Sequence, residues 1–216
     1  MKKILTTIFA MLMASSNLFA HDFEFPNSDG VTIYYNWANS EKKELSVTCC
    51  SYSYIKYSGN VIIPESVVYE NNVYSVTSIG ESAFYNCNDL TSVTIPNSVW
   101  SIGNYAFQYC SKLTSVTIPN SVIRINNQAF NGCNSLATID IPESVTTIGN
   151  QAFNGTAWYN NQPEGVVYAG KVVYKYKGEM LANTNITLKD GTVGISEYAF
   201  SNYSNLTKVS RPLRVV

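Results

Sequence analysis

The chain has 216 residues, 45% of them hydrophobic and 13% charged, with a formal net charge of −1. That composition suits one folded domain and excludes a disordered or collagen-like chain, and its charged share is about half the usual ~25%. The mildly acidic balance leaves no electrostatic footprint for nucleic acid, and the single histidine, His21, excludes Ser-His-Asp or Cys-His catalysis and multi-histidine metal sites.

Residues 1–20 begin with the basic pair Lys2 and Lys3. An apolar run from Ile4 to Ala14 comes next, too short to span a bilayer comfortably, and the segment exits through Asn17-Leu18-Phe19-Ala20. This reads as a bacterial-style secretory signal peptide cut after Ala20, so the mature protein is expected to be exported: at the cell surface, secreted or periplasmic. No later stretch reaches the ~20 apolar residues of a transmembrane helix. Residues 21–60 carry Phe23, Phe25, Ile33-Tyr34-Tyr35 and Leu45-Ser46-Val47, which alternate like strands. They predict an amino-terminal β cap over the end of the region beginning at residue 61.

From residue 61 to 216 the chain repeats itself. Ala-Phe recurs at Ala83-Phe84, Ala106-Phe107, Ala129-Phe130 and Ala152-Phe153, each 23 residues from the last, with a fifth copy at Ala199-Phe200. Ile95-Pro96, Ile118-Pro119 and Ile141-Pro142 keep the same step, as do Ile102, Ile125 and Ile148, with Ile79 and Ile195 in the outer copies. Each unit carries an LTSVTIP-like strand: Leu90-Val93-Ile95, Leu113-Val116-Ile118 and Leu136-Ile139-Ile141. This 1, 4, 6 spacing is that of leucine-rich repeats. One unit alone cannot bury its Leu, Val, Ile and Phe, so the units must stack into a solenoid of parallel strands with short helical or 3-10 turns. Phe107 and Phe130 are then core. Ser98, Ser121 and Ser144 fall where a hydroxyl can satisfy backbone groups of the adjacent coil. Two departures break the period: residues near 68–74 alternate about Asn-Asn as a hairpin, and residues 154–178, with strands at Val166-Val167-Tyr168 and Val172–Tyr176, insert a second.

The string SVTIPNSVxxIGNxAFxxCxxL, present from Ser92 to Leu113, resembles the BspA-type leucine-rich-repeat family, and the likeness runs from about Val61 to Phe200. The resemblance implies exported or surface proteins of bacteria and some mucosal protists, several of them adhesins that bind host matrix proteins or other cells.

Cys87, Cys110 and Cys133 also step by 23. An exported protein usually pairs its cysteines, but equivalent residues of adjacent coils project in parallel, a poor arrangement for the disulfide dihedral. Buried free thiols are the preferred expectation; the column lacks flanking metal ligands. Cys49 and Cys50 are expected on opposite faces of a cap strand.

No phosphate-cradling loop or nucleophile elbow is present. The carboxylates Glu81, Asp89, Asp140, Glu143 and Glu197 are scattered on expected turns, with no pair suited to glycoside hydrolysis. No enzyme activity, cofactor or metal is expected. On the outer face of the stacked strands, Ser92 and Thr94, Ser115 and Thr117, then Thr138 and Asp140 are expected to form two hydroxyl rows. They either merely suit exposed strand positions or make a docking surface for a protein on host or neighbouring cells. The aromatics Trp158, Tyr159, Tyr168, Tyr174 and Tyr176 of the second insertion either pack a hairpin onto the solenoid or stack on the sugar rings of a glycan ligand. A structural periplasmic component is a third reading.

Overall fold

The computed structural model describes residues 21–49 and 56–211; the expected leader at 1–20 and Cys50 lie outside the described residues. The fold is mostly strand, built from two ladders that run side by side along a stack of coils, because the 23-residue unit carries two short strand segments, one for each ladder. The first ladder pairs β4 (Gly59–Ile62), β7 (Leu90–Thr94) and β9 (Ser115–Thr117) in parallel register. The expected boundary at residues 60 and 61 therefore falls inside β4. The second ladder is longer. It starts with the antiparallel β1 (Phe23–Pro26), β2 (Thr32–Asn39) and β3 (Glu44–Thr48), and continues in parallel through β6 (Asn72–Ile79), β8 (Ser101–Ile102), β10 (Arg124–Ile125) and β11 (Thr147–Ile148). The antiparallel β5 (Ser66–Tyr69) pairs with β6 as the first hairpin. Its turn sits at Glu70 and Asn71, both at positive φ, one residue earlier than the Asn-Asn centre expected from sequence.

Between the ladders, the phenylalanines form one file. Phe84, Phe107, Phe130 and Phe153 are fully buried, with successive ring centroids 4.8, 5.0 and 5.6 Å apart and planes within 10° of parallel. Backbone bonds keep the same step: the Phe84, Phe107 and Phe130 N–H groups donate to the Ala106, Ala129 and Ala152 carbonyls, each at 2.7 Å. The turn that aims each ring inward needs left-handed backbone on both sides of it. Ser82, Tyr105, Gln128 and Gln151 have φ of 54–57° two residues before the phenylalanine, and Asn86, Tyr109, Gly132 and Gly155 are left-handed two residues after it. Each non-glycine residue held there costs about 1–2 kcal/mol, which the burial of the ring offsets. These are hydrogen-bonded turns, not the expected 3-10 segments. One short helix, α1 (Ala157–Asn160), is found among the described residues, inside the second insertion.

Side chains tie coil to coil. The Ser121 hydroxyl donates to the Val99 carbonyl (2.6 Å), Ser144 to Val122 (2.8 Å) and Ser98 to Glu65 (3.2 Å), the task expected of these serines. Asparagines add a row of bonds that the sequence did not lead us to expect: the Asn127 N–H donates to Asn104 Oδ1 (3.2 Å) and the Asn150 N–H to Asn127 Oδ1 (2.8 Å). At the isoleucine-glycine step the coils touch backbone to backbone. A Cβ added to Gly103 would sit 2.7 Å from the Gly80 carbonyl carbon, which is why glycine stands there.

A tyrosine closes each end of the file. Tyr57 packs on Phe84 at 4.5 Å; its hydroxyl accepts from the Tyr34 N–H and donates to the Thr48 carbonyl. At the far end Tyr174 meets Phe153 edge-on at 5.4 Å, and its hydroxyl accepts the Phe153 N–H at 3.0 Å, standing in for the alanine carbonyl that a further regular coil would offer. Burial pushes the ionisation of both phenols up. Tyr174 belongs to the second hairpin, β12 (Gly165–Ala169) with β13 (Val172–Lys177). β13 then pairs in parallel with β15 (Gly194–Ile195), and β14 (Thr184–Thr187) pairs with β16 (Leu206–Ser210), so both ladders resume beyond the insertion. They enclose a smaller core of Val173, Met180, Ile186, Leu188 and Ala199, with Phe200 half-buried against it and outside the phenylalanine file.

Candidate binding surface

The first ladder positions the hydroxyl rows. In β7 and β9 the apolar residues turn inward, and the residues between them pair outward in register: Ser92 with Ser115 and Thr94 with Thr117. Thr94, Ser115 and Thr117 are exposed and Ser92 is half-buried, its hydroxyl donating to Asn60 Oδ1 at 2.6 Å. The outer face itself begins one strand earlier, at Asn60 and Ile62 of β4, neither of which carries a hydroxyl. The face resumes beyond the insertion where Asn185 pairs with Lys208 and Thr187 with Ser210. Thr138 and Asp140 require a correction. Both are exposed, but residues 136–141 form no strand, so these two side chains extend the face without belonging to the ladder. The cause lies downstream. The chain after Phe153 enters α1 instead of another strand, and the Trp158 N–H takes the Leu136 carbonyl at 2.7 Å.

The expected aromatic patch is largely drawn into packing. Tyr174 is 2% exposed and belongs to the main core, which corrects its reading as an exposed platform. Trp158 and Tyr159 are half-buried against that core, at 5.1 Å from Phe153 and 5.5 Å from Tyr174 respectively. Tyr168 accepts the Lys189 N–H through its hydroxyl and lies under the Lys189 ammonium. Tyr176 packs edge-on to Tyr203 at 4.9 Å. The Lys177 ammonium donates to the Tyr159, Asn160 and Gln162 carbonyls and fixes the end of α1.

The three repeat cysteines are buried and unpaired, in a column. Cys110 donates to the Phe84 carbonyl and Cys133 to the Phe107 carbonyl, each at 3.0 Å. The neighbouring Cys110, with burial second, pushes the Cys87 thiol up; the Cys110 thiol is pushed up as well, first by its neighbour Cys133. Neither is poised as a nucleophile. His21 lies 3.5 Å from Glu24, with its pKa lowered by burial against the pull of Glu24 and Asp22. No group of three or more His, Cys, Asp or Glu among the described residues could hold a metal ion, and no helix among them is long and apolar enough to cross a membrane.

Sequence reasoning missed an apolar pair on the second ladder. Trp100 is 46% exposed and Ile123 43%, and the Ile123 N–H donates to the Trp100 carbonyl, so these two exposed residues sit at equivalent places on successive coils, just before β8 and β10. The available signal was a tryptophan at a position where the repeat tolerates any residue.

The sequence matches the family model described as BspA type leucine rich repeat region, in six copies over residues 63–162 and 171–215. Among solved structures, it is similar to a leucine-rich repeat protein from Bacteroides ovatus, with 31% identity, a TM-score of 0.55, and coverage of 82% of this chain and 39% of that one. It therefore spans well under half the length of that protein. A leucine-rich repeat protein of T. pallidum shares the fold at 22% identity and a TM-score of 0.51, over 91% of this chain and 70% of that one. No curated protein matches the sequence significantly.

Proposed function

The chain belongs to the BspA-type leucine-rich-repeat family, and from that premise we propose that it is an exported, non-enzymatic recognition protein that adheres to host or neighbouring-cell macromolecules through the outer face of its first ladder. In this reading, residues 21–60 cap the amino-terminal end of a solenoid whose units present one repeated surface. The observation that carries it is the in-register pairing of Ser92 with Ser115 and Thr94 with Thr117 on an exposed, nearly uncharged strand face. Repeat proteins bind through extended faces of this kind. A flat hydroxyl surface suits a protein partner, because it offers donors and acceptors without the desolvation cost of charge.

The test is solid-phase binding to host matrix proteins and to whole cells, comparing the intact protein with a variant carrying Ser92→Lys, Ser115→Lys and Thr138→Lys together. All three side chains lie on the outer face, with only the Ser92–Asn60 bond lost, so the circular dichroism spectrum is expected to stay unaltered while binding falls at least about tenfold. Unchanged binding would acquit the face, and the absence of any matrix or cell binding by the intact protein would count against adhesion.

A further inference from the structure

The first ladder parts between β9 and residues 138–141. We propose that this opening receives an extended polypeptide segment of a partner, paired edge-on with the exposed backbone, with a basic side chain of that segment held by Asp140. The proposal rests on the reading of the first ladder as the binding face and names how that face takes its partner.

Three observations converge on the same two coils. Up to β9 the ladder is continuous, and the Ile95 N–H reaches the Thr117 carbonyl even beyond the strand ends. Among the described residues, no backbone hydrogen bond then joins residues 115–118 to residues 138–141. The same two coils remain bonded elsewhere: Thr146 N–H to the Ile123 carbonyl (2.9 Å), Gly149 N–H to Ile125 (2.8 Å) and Phe130 N–H to Ala152 (2.7 Å). They are joined through the second ladder and the phenylalanine turn and parted at the first ladder. The phenylalanine file records the same wedge, with 5.6 Å between Phe130 and Phe153 against 4.8 Å between Phe84 and Phe107.

The parting has a cause in the sequence. The insertion holds the later coil from its far side through the bond from the Trp158 N–H to the Leu136 carbonyl, and through an ion pair of 2.7 Å between Lys171 and Glu143. The hairpin-tip residue Gly170 lies against Ile141 and Pro142. Where a next unit would have supplied a strand to draw residues 136–141 into the ladder, the chain supplies α1 and a hairpin.

The result is a shallow, solvent-open groove of about 390 Å³ lined by Ser115, Val116, Thr138, Ile139 and Asp140. Its chemistry selects an occupant. Strand edges present unpaired N–H and C=O groups, which an extended peptide satisfies in alternation. Val116 and half-buried Ile139 offer a short apolar floor, and Ser115 and Thr138 offer hydroxyls. None of the five is aromatic, so a sugar ring has no platform to stack on. Asp140 is exposed, takes part in no salt bridge among the described residues, and is the one charge among the six residues of the expected rows. A lysine or arginine on the incoming strand is its natural complement.

The test uses the full mature chain, isotope-labelled for NMR, and a capped heptapeptide that alternates threonine and valine around a central lysine. Binding is expected to shift resonances of residues 115–117 and 138–141. Replacing the central lysine by glutamate, or Asp140→Asn in the protein, is expected to weaken binding at least about fivefold. A peptide N-methylated at alternate residues on its pairing edge is expected not to bind. The proposal is overturned by an absence of shifts at millimolar peptide, by shifts confined to other residues, or by indifference to either N-methylation or Asp140→Asn. Solid-phase matrix binding, run in parallel, separates the two claims: a failed peptide test with matrix binding intact removes the groove and leaves the face, whereas loss of the face itself would show as no matrix binding at all.

Discussion

The regular stack from Ile79 to Phe153 and the unit beyond the insertion are written in nearly the same letters and pack differently. Ile79, Ile102, Ile125 and Ile148 are buried, while Ile195, in the same slot, is 50% exposed. Leu90, Leu113 and Leu136 are fully buried; Leu206 is half-buried. Phe107 has a ring on each face, whereas among the described residues Phe200 meets one, Tyr176, at 6.5 Å. The repeat motif therefore does not carry its own burial. Burial comes from the coil on either side, as nearest-neighbour coupling in stacked repeats requires, and the insertion interrupts that coupling.

The largest expected effect sharpens this contrast directly. Phe107→Ala should cost about 3–5 kcal/mol, the range for emptying a fully enclosed aromatic site, and Phe200→Ala about 1–2 kcal/mol, because its site is open on one side. Urea unfolding of the two variants measures both, and equal losses would break the comparison. Next comes the junction. Tyr174→Phe keeps the ring and removes the hydroxyl that accepts the Phe153 N–H, leaving a buried donor unpaired at a cost of about 1–3 kcal/mol, read from the same urea curves.

The buried phenols give a pH dependence. Burial raises the ionisation of Tyr35, Tyr57 and Tyr174 above its unfolded value near 10. The unfolded chain then releases these protons first. Their contribution is fully present below about pH 10 and is lost as the pH rises above it. Thermal unfolding between pH 8 and 11 should show Tm falling at the alkaline end, less steeply in Tyr174→Phe than in the parent. The smallest effect concerns the turns: Gln151 is exposed at φ 55°, so Gln151→Asn, better tolerated in left-handed backbone, should raise stability by about 0.5 kcal/mol.

Much of this was legible because periodicity is a global property. The phenylalanine file, the serine-to-carbonyl bonds and the paired hydroxyls of β7 and β9 come from a 23-residue step and a parallel stack, with no knowledge of distances. What was not legible depends on neighbours that the repeat does not encode. The segment Leu136–Ile141 has a strand sequence and forms no strand, because its downstream neighbour is a helix. Tyr174 resembles every other exposed-looking tyrosine of the insertion, yet it fills the place of a missing alanine carbonyl. The asparagine row through Asn104, Asn127 and Asn150 was visible as a period but not as a bond, since its partner is a backbone N–H one coil away.

In the proposed function the first ladder, not the second, meets the partner. Surface plasmon resonance on immobilised host matrix extract, comparing a Thr94→Lys, Thr117→Lys variant with an Ile123→Lys variant, addresses this most directly. Loss of binding in the first, with the second matching the intact protein, is the predicted result; the reverse pattern, with the threonine variant binding normally and the isoleucine variant silent, would contradict it.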